Sequence, residues 1–456
     1  MQNHGISKSL LVGTSATMGA AVLQQGWVYL AVLFGVFLLM LWPVQVALGG
    51  FAFLVPFDFI STLGSGREGI TLTFVVGCVT VLVLIAWGIA FRRLELPGRP
   101  ALYWLLFVLW AAASSLWAYD QQAALERLPT MFSLYLFYLV VISFRLTEKE
   151  FSGIVKLTIL GGCVAAAFSS CEFYSGTRFL GQRSSLIIGT QTTDPNIFAA
   201  SLLLPFSLAV GEFLAASTLA RKFIMLFSSG VITLAIFLTM SRGALVAIAV
   251  MLMVYLRKLR LSWRLLMPAV VLLGAFLLAP KMLFHRLAES GSNGGTARIY
   301  IWQTGLAALK DFGVTGAGLS NFSLIYDRFR VDARDAGNAD PSIGFRRDPH
   351  NIYIETAVEL GIIGLALLGM AVVSQLRMAK RAQPSLKGAP ANLRAIACQA
   401  AAWGMLAVSF FLGMLWFKAF WLVWIMLTLA STERAVECKG YPVRYPAFIS
   451  PLGAAR

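Results

Sequence analysis

Apolar residues in this chain run in long blocks separated by short polar stretches, instead of alternating as they would along half-buried strands. A helix needs about 20 such residues, each rising 1.5 Å, to cross a bilayer. The windows 26–57, 70–91, 101–117, 129–144, 151–174, 196–216, 223–240, 243–256, 265–280, 351–375, 395–415 and 418–431 meet that need. The first is long for one helix and contains Pro43, so it is either a kinked span or a short hairpin. The pattern therefore predicts an all-α, polytopic helical bundle of about 12 spans, with 11 to 13 open.

Short basic loops set the orientation. Arg92 and Arg93, Arg145 with Lys149, Arg221 and Lys222, the cluster from Arg257 to Arg264, and Arg377 with Lys380 and Arg381 fall at alternate turns. Loops of that kind stay cytoplasmic. Both termini are then expected inside, with the N-terminal apolar stretch kept as an anchor. The same parity divides residues 223–256, which are almost continuously apolar yet flanked on both sides by cytoplasmic basic clusters. An even number of spans must fit there, and Ser241-Arg242-Gly243 is the only polar break, so Arg242 is expected at the outer boundary.

The outward segments are then 118–128, 175–195 and 281–350. The last contains a linker at 289–296, an amphipathic helix over 297–310, a glycine-rich turn at 313–321 and a polar loop at 332–341. The expected organisation is 1–280 as N-terminal and central spans, 281–350 as a large periplasmic loop, 351–431 as C-terminal spans and 432–456 as a cytoplasmic tail.

Composition sharpens this picture. Residues of the AVILMFWYC set make up 58% and charged residues 13%, too little polar surface for a water-soluble particle of 456 residues. The net charge of +16 is what basic cytoplasmic loop ends produce, so it does not argue for nucleic acid as a partner; membrane lipids are the surroundings it implies. Five cysteines form no CxxC pair and read as small core hydrophobes. Three scattered histidines and the absence of a DxD pair leave no metal motif, and no cofactor is expected.

The candidate chemistry gathers at one face. Arg242 sits at a helix-helix turn, where a charged side chain either serves a site or snorkels to lipid phosphates. Asp348 and Pro349 read as an N-cap and first helical residue of the span at 351–375. His350 beside them has an ordinary pKa near 6.5, suited to taking a proton from an attacking hydroxyl. Asn351, Glu355 and Glu359 share one helical face running inward, where Glu359 is expected to pair with an arginine. Gly361 and Gly364 would let another helix approach closely. Arg183, Arg298, Arg346 and Arg347 could converge with Arg242, an arrangement that binds a diphosphate bidentately. Asp194 reads as a helix start. Tyr300, Trp302, Phe322, Tyr326 and Phe329 could stack on sugar rings or simply pack.

These pieces resemble the O-antigen ligase and polymerase family of bacterial membrane enzymes. The matching segments are Ser241 to Ala244, Arg298 to Trp302 leading to Gly316 to Phe322, and His350 to Glu355 with Glu359 to Gly361; together they cover about 180–364. Phe312 stands where the family often has a proline before the glycine turn. The resemblance implies a GT-C-like bundle in the bacterial inner membrane, its active site facing the periplasm. It implies metal-independent transfer of a glycan from undecaprenyl diphosphate to a sugar hydroxyl, with a lipid A-core or a lipid-linked glycan as acceptor. Arg242 and Arg298 would then hold the diphosphate and His350 would activate the acceptor, with Arg183, Arg346, Arg347, Asn351 and Glu355 as further contacts. A polymerase joining lipid-linked repeats and a lipid-linked sugar flippase or transporter are the alternatives; a transporter would instead place its coupling charges near the midplane.

Overall fold

The fold was obtained as a computed structural model that describes residues 43–60, 62–63, 70–179, 183–188, 191–259, 294–329, 347–382 and 390–437. The described chain is almost wholly helical: α1 (Val44–Leu54), α2 (Leu72–Ala90), α3 (Arg99–Ala113), α4 (Gln121–Ser143), α5 (Glu148–Tyr174), α6 (Pro195–Ser201), α7 (Leu203–Ala215), α8 (Leu219–Leu238), α9 (Arg242–Leu259), α10 (Gly294–Phe312), α11 (Phe322–Phe329), α12 (Ile352–Arg381), α13 (Pro390–Val408) and α14 (Lys418–Glu437). Two short hairpins, Thr62–Leu63 with Ile70–Thr71 and Ile187–Ile188 with Gln191–Thr192, close loops at helix ends. Among the described residues, seven helices are long and apolar enough to cross a membrane. The protein is an all-α polytopic membrane bundle.

Local chemistry explains most boundaries. Thr147 and Glu150 form a reciprocal capping box at the start of α5, and Asp120 caps α4 through the amides of Gln122 and Ala123. Helix α4 thus begins at Gln121 and takes in most of the segment expected as the loop 118–128. The apolar stretch 223–256 breaks where parity required: Thr239 ends α8, Met240 turns with φ 53°, and α9 starts at Arg242. Pro43 directly precedes α1; the remainder of the first window and the window 265–280 lie outside the described residues. Helix α10 begins at Gly294, so the last residues of the expected linker are helical.

The core is aromatic. Trp104, Phe107, Tyr138, Phe420, Trp421 and Trp424 interlock with mostly tilted and edge-on ring contacts. Gln375 is buried among them and fully used: its Oε1 accepts from Trp104 Nε1 at 2.8 Å, and its Nε2 donates to Trp424 O and Thr428 Oγ1. Large apolar side chains face outward instead of inward on α2 and α8; Ile89 is 68% and Phe227 73% exposed, as lipid-facing surfaces require. Two cysteines follow that pattern and correct the expectation of a core role: Cys78 and Cys171 are exposed, Cys163 is half-buried and Cys398 is buried.

Helix α12 is interrupted. Gly361 adopts φ 69° and ψ −173°, leaving backbone groups on either side without helical partners. The turn after α10 supplies them: Ala317 N donates to Val358 O at 2.9 Å, Gly318 N to Glu359 O at 2.8 Å, and Ile362 N to Gly313 O at 2.9 Å. Trp110 Nε1 takes Leu360 O at 2.9 Å. Gly361 therefore receives a loop backbone and not a neighbouring helix, and a Cβ at Gly364 would meet only Leu360 of its own helix. Irregular backbone at such depth is tolerated because protein satisfies it.

Candidate functional site

The site is built around the segment joining α10 to α12. Arg298 and Trp302 lie four residues apart on one face of α10. Trp302 Nε1 donates to Pro349 O at 3.1 Å, which draws the residues before α12 against that face. Gly305, one turn further, permits the close approach; a Cβ there would lie 2.7 Å from Ile354. From the other side, Ile352 N donates to Ser409 O at 3.0 Å and Tyr353 OH to Leu406 O at 2.9 Å. Clamped between these anchors, His350 adopts φ 47°, in the left-handed region. Backbone in that region persists only where its surroundings hold it, and such positions cluster at functional sites.

Arg242, at the first turn of α9, is exposed. Its charge acts on Arg298, and that of Arg298 on His350, which links three elements distant in sequence. Burial lowers the pKa of His350, and Arg298 lowers it further, with Arg347 adding in the same direction; Asp348 and Asp194 oppose the shift. The imidazole is thereby kept neutral and able to accept a proton at neutral pH. Burial and then Arg242 likewise lower the pKa of Arg298, against the pull of Asp194. Among the described residues neither Arg242 nor Arg298 has a carboxylate within ion-pair distance. Two guanidiniums near each other without close neutralisation suit an anionic ligand.

Arg183 has a different task. Its Nε donates to Thr239 O and its Nη2 to Asn196 Oδ1, both at 2.8 Å, so it ties the 175–195 segment to the turn before Arg242 and to α6. Asn351 caps α12, accepting from the amides of Tyr353 and Ile354. This corrects the reading of Asp348 as N-cap with Pro349 at the first helical position: the helix starts at Ile352, and Asp348 is left exposed before it. Glu355 is one turn in, and its Oε2 is buried without a hydrogen-bond partner. Glu359 pairs with no arginine among the described residues; its carboxylate accepts from Ser320 N at 2.8 Å and Phe322 N at 3.0 Å, which fixes the glycine-rich turn and starts α11. Arg346 lies outside the described residues.

Sequence reasoning missed two contributors. Asp194 does begin α6 as expected, capping Asn196 and Ile197, but its charge also reaches both Arg298 and His350. Arg127 on α4 acts electrostatically on Glu355 and Glu359; its helix position three residues after a lone buried alanine gave no signal of that. Four of the aromatic candidates pack: Phe322 and Tyr326 are buried with Ile301, Ile325 and Val358 in a small second core under α10, and Trp302 and Phe329 lie against it. Among the described residues no group of three or more His, Cys, Asp or Glu side chains could hold a metal ion.

Fold and site together define a polytopic helical membrane protein with its polar chemistry gathered beneath a loop helix at one end. Residues 225–369 match the family described as O-antigen ligase. The match runs through α8, α9, α10 and α11 into α12, and it bears out the resemblance drawn from the motifs. It spans Arg242, Arg298 and His350, whereas Arg183 and Asp194 precede it. No curated protein matches the chain. The match supports a role of the O-antigen ligase or polymerase type in polysaccharide assembly; members of that family are membrane glycosyltransferase-like enzymes.

Proposed function

We propose that the protein transfers a glycan from undecaprenyl diphosphate to a sugar hydroxyl at the periplasmic face of the inner membrane, with a lipid A-core as acceptor. The observation that carries this reading is that Arg242 acts on Arg298 and Arg298 on His350, three residues from separate elements, while His350 is held in a left-handed backbone. Diphosphate leaves readily once its charge is held, while a sugar hydroxyl attacks poorly until a base takes its proton. In the reaction, the acceptor oxygen bonds to the donor's anomeric carbon as that carbon's bond to phosphate oxygen breaks. The electron pair departs with undecaprenyl diphosphate, whose charge Arg242 and Arg298 hold. The hydroxyl proton passes to His350, which returns it to water. Arg347, Asn351 and Glu355 border the acceptor side, and Arg183 positions the turn carrying Arg242. Charge compensation by guanidiniums is the metal-independent route, and the donor set supports it.

Two assays test this. Purified protein in proteoliposomes should release undecaprenyl diphosphate from a lipid-linked glycan only when a lipid A-core acceptor is supplied. Release with a second lipid-linked glycan instead would make it a polymerase. In intact cells an impermeant thiol reagent should label Arg242→Cys and spare Lys258→Cys; the reverse pattern would place the site on the cytoplasmic side and end this reading.

A further inference from the structure

Helix α5 connects the neighbourhood of Arg183 to the opposite end of the molecule, about 40 Å away for its 27 residues. At that far end lies a cavity of about 640 Å³, lined by Gln45, Glu148, Lys149, Ser152 and Lys156 with apolar walls from Val46 and Leu157. Lys149 and Lys156 are seven residues apart, on one face of α5, with Ser152 between them. Lys156 sits about 12 Å along the helix from Glu148, inside a candidate span, where an ammonium group needs a reason to be. Among the described residues neither lysine has a carboxylate within ion-pair distance.

The cavity also has a buried cation behind it. Arg394 is 5% exposed. Its Nε is matched by Glu212 Oε1 at 2.6 Å and its Nη2 donates to Ser152 Oγ at 3.0 Å. Its Nη1, however, has no hydrogen-bond partner and stands 3.8 Å from Glu148 Oε1. Ser152 and Glu148 both belong to the cavity wall, so the unsatisfied guanidinium nitrogen lies beside it. A buried donor held only by a long ion pair, without a hydrogen bond, costs free energy that an incoming acceptor would recover.

We propose that this cavity is a binding site for the phosphate headgroup of an anionic phospholipid, with Lys149 and Lys156 as its cations, Arg394 adding positive charge from behind Ser152, and the Val46 and Leu157 walls against its acyl chains. The end of the bundle fits that occupant. It carries the basic loops expected on the cytoplasmic side, and basic pockets between membrane helices on that side take anionic headgroups. Two lysines that merely snorkelled would need neither a pocket beside them nor a buried cation behind its wall.

Native mass spectrometry of the detergent-purified full chain, titrated with phosphatidylglycerol, phosphatidylcholine or inorganic phosphate, tests the proposal. Wild type should retain one phosphatidylglycerol and little phosphatidylcholine. Lys149→Ala with Lys156→Ala should weaken phosphatidylglycerol binding about 30-fold, from the usual worth of two basic side chains at a membrane surface. Lys156→Arg should restore most of the affinity in the Lys149 background. Equal phosphatidylglycerol binding by wild type and the double alanine variant would overturn the proposal, as would equal retention of the two lipids. Competition by inorganic phosphate at lipid-equivalent concentration would also overturn it, because the site would then take the free anion. Both lysines are exposed, so the variants remain folded for the comparison.

Discussion

At the end of the molecule where α5 starts, arginines are matched. Arg93 holds Glu150 through two nitrogens, at 2.9 and 2.5 Å, and also takes Arg145 O. Arg394 meets Glu212 at 2.6 Å, with Arg221 on the same carboxylate at 3.4 Å, and only the Nη1 of Arg394 is left without a hydrogen bond. At the other end, Arg242 acts on Arg298 and Arg298 on His350, and the carboxylate opposing the effect on Arg298 is Asp194, already committed to capping α6. Matched charges hold helices together, and guanidiniums with no carboxylate in ion-pair distance among the described residues are available to a ligand. The difference teaches which arginines to test for structure and which for chemistry.

Breaking the matched end should give the largest effect, and on stability alone. Glu212→Gln leaves Arg394 buried without its main partner, a change that typically costs about 3–5 kcal/mol. A lower melting temperature with near-normal transfer by the surviving folded protein is expected. A transfer defect in folded protein would mean that this network reaches the site.

The turn that joins the two halves of α12 to the loop comes next. Gly316 has φ 84°, and a Cβ there would lie 2.1 Å from Glu359 O. Gly316→Ala should cost about 1–3 kcal/mol from the left-handed backbone alone, with more from the clash. Because the turn supports α10, donor binding should weaken as well. Thermal melting and donor titration on the same sample measure both effects.

At the unmatched end, Arg242→Lys keeps the charge and removes the planar fork. A loss of roughly tenfold in donor affinity is expected from the strength of charge-assisted bidentate contacts, with no change in melting temperature. Unchanged donor affinity would reduce Arg242 to a lipid-facing anchor.

Much of this contrast was legible in the sequence. Long apolar blocks and alternate basic loops foretold a polytopic helical bundle, and charge parity with the polar Ser241-Arg242-Gly243 located the break inside an otherwise continuous apolar stretch to within a residue or two. Residue types named Arg242, Arg298 and His350 as candidates. What escaped was long-range backbone pairing. Helical periodicity says which face a residue occupies, but nothing in it reveals that Gly361 interrupts α12 so that the turn after α10 can dock, or that Glu359 would cap that turn's amides. The same blindness moved the cap from Asn351 to Asp348, since both are good capping residues and only Trp302 and Ser409, remote in sequence, decide where the helix begins. Asp194 read correctly as a helix start and concealed a second, electrostatic role.

The central claim is a division of labour, in which arginines hold the diphosphate and His350 moves the proton. It is tested most directly by measuring donor binding and single-turnover transfer between pH 5 and 8 for wild type, Arg298→Ala and His350→Ala. Wild-type transfer should fall on the acid side with a midpoint below the ordinary imidazole value of about 6.5, because burial and Arg298 favour the neutral ring. His350→Ala should bind donor as wild type does, transfer at least ~100-fold more slowly and lose that acid limb. Arg298→Ala should lose donor binding and, with the opposing charge removed, move the midpoint of its residual activity upward. Loss of donor binding by His350→Ala, or an acid limb that survives it, would contradict the account.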